Sequence, residues 1–374
     1  MDLSLSEEQQ LLKDSAARFV QDRYSVERKR QLRDTSTAFD AENWQQFAEL
    51  GWLALPFSEE DGGFDGTSLD VAVLMEEFGR GLVAEPYLVN IALCGAFLSL
   101  GTGAQKEALL PALIGGESQW AFAFAEPKGR YNLANIQLVA AAKESGWVLN
   151  GSKISVLNGG TAQQFIVSAR TAGEPCDSEG ISLFLVDATS AGISRQEYPL
   201  VDGSAGADIS FENVELRQDQ LLGELHQALP MIEDVMAQAI VAMGAEAVGA
   251  MDALLEQTVE YTKTREQFGQ PIGSFQALQH RMADMYLQCQ ATRSLLYYAA
   301  IARDENRDDK LKAASALKVK LGEAGRFVSQ QAVQLHGGIG MTDELGIGHY
   351  LKRLLLLNSL FGDSEYHLGK YAGL

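Results

Sequence analysis

The hydrophobic period changes twice along this chain, and any fold it adopts must accommodate both changes. From Leu3 to about Gly115 apolar residues recur at helical intervals. Between about Gln119 and Leu222 they gather into short strand-like runs, and after Gly223 the helical interval returns almost to the end. The expected fold is therefore α+β and helix-dominated: a helical N-terminal domain over 1–117, an antiparallel β middle domain over 118–222 and a C-terminal helical bundle over 223–374. A length of 374 residues suffices for two or three domains. With no repeat or low-complexity linker in view, the β segment reads as inserted between the helical parts.

Local signals refine this division. Ser6 and Gln9 have the spacing of a capping box, which predicts a helix start. Residues 49–57 break the helical rhythm, Gly62, Gly63 and Gly66 mark a loop over 58–67, and the next helix is expected over 69–78. In the middle segment, Trp147-Val-Leu-Asn150, Phe165-Ile-Val-Ser168 and residues 181–186 are rich in strand-forming types, and alternation over 207–216 predicts strands with one buried face. Alanine- and leucine-rich stretches near 230–265, 274–305 and 308–336 have the lengths of bundle helices.

Charge and composition exclude several functions. Fifty acidic against thirty basic residues give a net charge of −20, which repels nucleic-acid phosphates and anionic membrane surfaces. The N-terminus has no basic segment followed by an apolar one, and no later stretch is expected to be long and apolar enough to span a bilayer, so the expectation is a cytoplasmic protein. Cys94, Cys176 and Cys289 are odd in number and far apart, which predicts buried or inert thiols rather than disulfides or a metal cluster. His336 has no companions at metal-ligand spacing and reads as structural, so no metal is expected.

Four motifs follow in order: Phe122-Ala-Phe-Ala-Glu-Pro127, Leu149-Asn-Gly-Ser-Lys-Ile-Ser-Val-Leu-Asn158, Arg265-Glu-Gln-Phe-Gly-Gln-Pro-Ile272 and Gln334-Leu-His-Gly-Gly-Ile-Gly340. Leu53-Ala-Leu-Pro56 with its trailing Glu-Glu-Asp-Gly-Gly, and Leu110-Pro-Ala-Leu-Ile114, precede them. Each alone is weak, but their joint order resembles the acyl-CoA dehydrogenase family over nearly the whole chain. The resemblance implies an FAD enzyme that desaturates an acyl-CoA thioester between Cα and Cβ. In that family a carboxylate removes a proton while flavin takes a hydride, and electron-transfer flavoprotein is the electron acceptor.

On this resemblance Arg265 and Phe268 contact the FAD of a neighbouring subunit, where a guanidinium suits a pyrophosphate. Gln276 stands just beyond, and Gln334, Gly337 and Gly338 form a turn whose backbone amides approach phosphate or adenine. The parts serving a chain's own flavin and base are replaced. Ala125 stands where the family has threonine, and Ser155, Val156, Leu157 and Asn158 stand for Trp-Ile-Thr-Asn. The two carboxylate positions fall on Phe361 and Ala239; Asp363, Glu365 and Glu246 lie nearby, Asp363 being the candidate base that remains. Lys128 and Arg130 replace the family's Ala-Gly-Ser-Asp turn and are candidates for a CoA phosphate or for ordinary surface charge.

The ending Phe361-Gly-Asp-Ser-Glu-Tyr-His-Leu368 is similar to the small subunits of heteromeric acyl-CoA dehydrogenases of the pimeloyl-CoA and steroid side-chain types. Three functions stay open. The chain is a subunit of an α2β2 enzyme that completes a partner subunit's FAD site without supplying the base, a self-sufficient homo-oligomer using Asp363, or a non-catalytic relative that binds a CoA ester or a partner.

Overall fold

The capping box expected at Ser6 opens the first helix. In the computed structural model, which describes residues 5–373 except 34, 36 and 37, the Gln9 amide donates to the Ser6 hydroxyl and the Ser6 amide to the Gln9 side chain, both at 3.1 Å. This starts α1 (Glu7–Arg23), followed by α2 (Val26–Arg33), α3 (Ala41–Glu49) and α4 (Ser68–Gly81). A π-helical stretch, Leu88–Gly95, leads into α5 (Ala96–Ser99) and then α6 (Gly103–Ile114). Strands β1 (Trp120–Ala123), β2 (Val139–Lys143), β3 (Gly146–Leu157), β4 (Gln164–Arg170), β5 (Ile181–Asp187), β6 (Ile193–Pro199), β7 (Ala205–Arg217) and β8 (Leu221–Leu222) come next. Helices then return: α7 (Ala228–Thr264), a small hairpin of β9 (Glu266–Gln267) and β10 (Gln270–Pro271), α8 (Gln276–Asp304), α9 (Lys310–His336), α10 (Ile347–Ser359) and α11 (Ser364–Gly373). The fold is the helix-dominated α+β arrangement expected, with its β segment between two helical ones.

These elements form two compact units. One comprises Met1–Asp34, Thr67–Ala84 and Ile240–Leu374, the other Thr35–Gly66 and Glu85–Ala239, so the division falls inside α7.

In the second unit the sheet runs β6-β7-β3-β2-β4-β5-β8, with β1 beside β4. It is antiparallel except where β4 meets β1 and, at one pair, β2. Leu149, Phe165, Val167, Phe184 and Ile209 are fully buried in its core, each side chain contributing roughly 1.5–3 kcal/mol by leaving water. The pairing of β3 with β7 shifts register between Leu149 and Gly151 and again between Lys153 and Val156. Such irregularities re-aim side chains, and Ser155, at φ 52°, sits inside the second.

In the first unit α4 meets α7 backbone to backbone. A Cβ on Gly79 would lie 1.9 Å from the Glu246 carbonyl oxygen, and one on Gly249 would lie 1.8 Å from that of Glu76, so only glycine permits the approach. Beside this contact Arg293 bridges Glu76 at 2.9 Å and Asp252 at 2.5 Å.

α7 departs from the expectation that no stretch could span a bilayer. It holds an 18-residue window long and apolar enough by length and composition to do so, yet 83% of that window is buried inside the protein. Its alanines and methionines serve a core rather than lipid. Of the three cysteines, all free, Cys94 and Cys289 are buried and Cys176 is exposed. It lies in the polar β4–β5 loop, where no hydrophobic pattern covers it.

Candidate functional site

The C-terminal ends of α7 and α9 meet through two aromatic rings. Tyr261 and His336 stack with centroids 4.3 Å apart, and the Tyr261 hydroxyl donates to the His336 carbonyl at 3.4 Å. Arg265 lies one turn beyond Tyr261, its amide donating to the Tyr261 carbonyl at 2.8 Å, and Gly337 directly follows His336. α8 begins at Gln276 and is tied to α9 by an Arg281–Gln331 hydrogen bond of 2.8 Å. Arg265, Phe268, Gln276, Gln334, Gly337 and Gly338 therefore gather at one end of the bundle, and all six are exposed. Phe268 is 92% exposed at the tip of the β9–β10 hairpin. The Arg265 guanidinium has no hydrogen-bond or ion-pair partner among the described residues. His336 is buried and donates from Nδ1 to the Ala332 carbonyl at 2.8 Å, so its role is to join helix ends.

The two carboxylate positions are equally well defined. Ala239 is fully buried in α7, and Glu246, two turns on, is held by Arg353 through contacts of 2.5 and 3.0 Å. Phe361 adopts φ 58°, with its carbonyl accepting from His367 Nε2 at 2.9 Å. The Asp363 carboxylate accepts the Tyr366 amide at 2.9 Å, which caps the start of α11. Buried Lys318 donates to the Leu357 and Asn358 carbonyls, each at 2.7 Å, and so closes the end of α10. Lys318 and His367 were not singled out from sequence. The signal for His367 lay in the chain's ending, whereas a lysine within a helix gives none.

The tautomer of His367 follows from its partners. A carbonyl only accepts, so Nε2 carries the proton and Nδ1, 3.3 Å from Ser315 Oγ, accepts from that hydroxyl. The ring is neutral, and burial pushes its pKa down to about 4. An unfolded histidine titrates near 6.5, so below that pH the unfolded chain binds the extra proton and stability is lost as pH falls toward about 4. Between pH 6.5 and about 5.2 the loss is expected to be about 1.3 kcal/mol, a range that stays above the isoelectric point near 4.7. Thermal melts should fall over that range, and His367→Gln should flatten the fall; an unchanged slope would mean that the folded ring is charged.

On the β unit the replaced positions border the second register shift. The Ala125 carbonyl accepts the Ile154 amide at 2.8 Å. The Ser155 amide donates to Asp208 Oδ1 at 2.9 Å and to the Tyr198 hydroxyl at 3.1 Å, while Leu157 ends β3 without a hydroxyl to offer. Lys128 and Arg130 are both exposed on the turn that follows β1, and Arg130 holds φ 47°.

With this geometry in place, comparison with known proteins is decisive. Residues 6–117, 121–214 and 230–372 match the N-terminal, middle and C-terminal domains of acyl-CoA dehydrogenase. The chain belongs to the acyl-CoA dehydrogenase family. It is 30% identical to the acryloyl-CoA reductase (NADH) of Anaerotignum propionicum, over 98% of this chain and 94% of that protein. It is similar to the solved structure of PigA with FAD and proline, at a TM-score of 0.93 and 28% identity, covering 100% of this chain and 98% of that one. It is also similar to the ChsE4-ChsE5 complex from Mycobacterium tuberculosis, at a TM-score of 0.90 and 25% identity over 100% and 98% of the two chains.

Acyl-CoA dehydrogenases bind FAD, and the end of the bundle fits part of that cofactor. Gly337 takes φ 67° and ψ −145°, a conformation that glycine alone adopts readily. Gly338 is different: no atom lies within 4 Å of where its Cβ would stand, and its φ is ordinary, so nothing among the described residues requires glycine there. The missing side chain leaves room for a group outside the chain. Gly338→Ala is accordingly expected to change folding stability by no more than about 0.5 kcal/mol while lowering FAD affinity in the assembled enzyme about tenfold. Melting curves with a flavin fluorescence titration check both; equal affinity would remove Gly338 from the site. The face around Ser155 fits less well: Ser155, Val156 and Leu157 offer no aromatic ring there, and Leu157 stands where the resemblance expects a hydroxyl.

Proposed function

We propose that this chain is one subunit of an α2β2, FAD-dependent acyl-CoA dehydrogenase, completing a partner subunit's FAD site and supplying no catalytic base. The carrying observation is at the base positions. Phe361 and Ala239 have no titratable group, Asp363 caps a helix, and Glu246 is committed to Arg353. The exposed end bearing Arg265 and Phe268 supports the other half of the proposal, since it presents a cation with no partner among the described residues, an aromatic surface and an open glycine backbone. Similarity to the ChsE4-ChsE5 complex supports pairing of unlike subunits.

FAD, when bound, accepts the hydride leaving Cβ of the acyl thioester. Arg265 neutralises pyrophosphate charge, Gly337 and Gly338 let the backbone approach the nucleotide, and Phe268 covers apolar surface on the partner side. Lys128 and Arg130 meet the phosphates of the acyl-CoA substrate. The Cα proton goes to a carboxylate of the partner subunit, and the electrons pass to electron-transfer flavoprotein. Flavin content and turnover, measured on the chain alone and with its partner, test the proposal.

A further inference from the structure

A buried ion pair ties the base of the turn that carries Lys128 and Arg130. Lys153 on β3 is completely buried and Glu126 is 6% exposed, with Nζ and Oε1 2.8 Å apart. Every Nζ proton is used: Glu126 accepts one, the Phe124 carbonyl another at 3.1 Å, and Ser168 Oγ the third at 3.1 Å. The Glu126 carboxylate in turn accepts the Gln137 amide at 2.8 Å and the Leu138 amide at 3.1 Å. The residue that opens the turn thus grips the backbone where the turn closes. Two more bonds hold the span between: Asn135 donates to the Lys128 carbonyl at 3.0 Å, and buried Arg170 donates to the Ala134 carbonyl at 2.6 Å.

Burying such a pair is costly, and burial lowers the Lys153 pKa to about 8; apolar residues of similar volume often fold as well or better. What the pair holds is a turn whose exposed members include Lys128 and Arg130, the latter in the left-handed region. Without a fixed backbone, two flexible cations in a protein of net charge −20 would be drawn to surrounding carboxylates. We infer that Glu126 and Lys153 are positioning residues that fix the turn so that Lys128 and Arg130 meet the phosphates of a CoA ester. This rests on the proposal that those two cations contact CoA phosphates.

The test is a double-mutant cycle read by calorimetric titration of the full chain with coenzyme A. The four forms are the unaltered chain, K128A/R130A, E126Q/K153M and the combination. Each pair of substitutions is expected to weaken CoA about tenfold, and the combination no further, because both act through one turn. E126Q/K153M should keep a cooperative melt while deuterium uptake rises over 127–138. A folded E126Q/K153M that binds CoA normally, or losses that add in full, would overturn the inference alone. An unaltered chain that does not bind CoA, or a K128A/R130A variant that binds it normally, would instead overturn the CoA assignment and the inference with it. Should E126Q/K153M not fold, Glu126→Gln alone carries the same cycle, since an amide side chain has one acceptor oxygen and cannot hold both the Gln137 and Leu138 amides.

Discussion

Produced alone, given excess FAD and mixed anaerobically with a panel of acyl-CoA esters, the chain is expected to leave the flavin oxidised. Removing a positioned base costs roughly 10²–10⁴-fold in rate, and Phe361 and Ala239, where the resemblance places the family's base, carry none. The near neighbours do not rescue it. Asp363 spends a carboxylate oxygen on the Tyr366 amide, and buried Glu246 would have to give up both of its contacts to Arg353 to reach a substrate. Adding a partner subunit that carries the carboxylate should restore bleaching. Rapid bleaching by the lone chain, abolished in Asp363→Asn, would instead establish a self-sufficient enzyme and sink the proposal of a divided site.

In the assembled enzyme, Arg265→Ala should release FAD. A guanidinium with no partner among the described residues gives up no contact to them when it meets a pyrophosphate, so its charge is available for that contact. Removing one member of such a desolvated pair costs roughly 2–5 kcal/mol, which corresponds to a loss of about 30-fold to several thousand-fold in affinity. Equilibrium dialysis of flavin, with the subunit ratio checked by native mass spectrometry, would report it. Unchanged retention in an intact assembly would take Arg265 out of the site.

Elements set by local pattern were legible in the sequence. The stretches near 274–305 and 308–336 became Gln276–Asp304 and Lys310–His336, because alanine- and leucine-rich stretches of that length favour helix by local propensity. The gathering of Arg265 with Gly337 was legible only through family resemblance, since the Tyr261–His336 stack joins residues 75 positions apart. What stayed hidden depends on long-range geometry. The parallel join of β1 to β4 follows from chain routing rather than from residue type, and the Lys153–Glu126 and Arg353–Glu246 pairs join residues that look like solvated surface charges until the fold buries them.

The reciprocal glycine contact between α4 and α7 also sets a timetable for biosynthesis. Val71, Leu74, Met75 and Phe78 belong to α4, which leaves the ribosome long before the helix against which Gly79 packs. Roughly 170 residues separate Gly79 from Glu246, which at about 5–20 residues per second is a delay on the order of 10–30 s. During that interval an apolar helix waits without the neighbour that covers it, a natural client for a holding chaperone. The nascent chain can complete its Thr35–Gly66 and Glu85–Ala239 unit first, and the earliest-made helices are among the last to find their place.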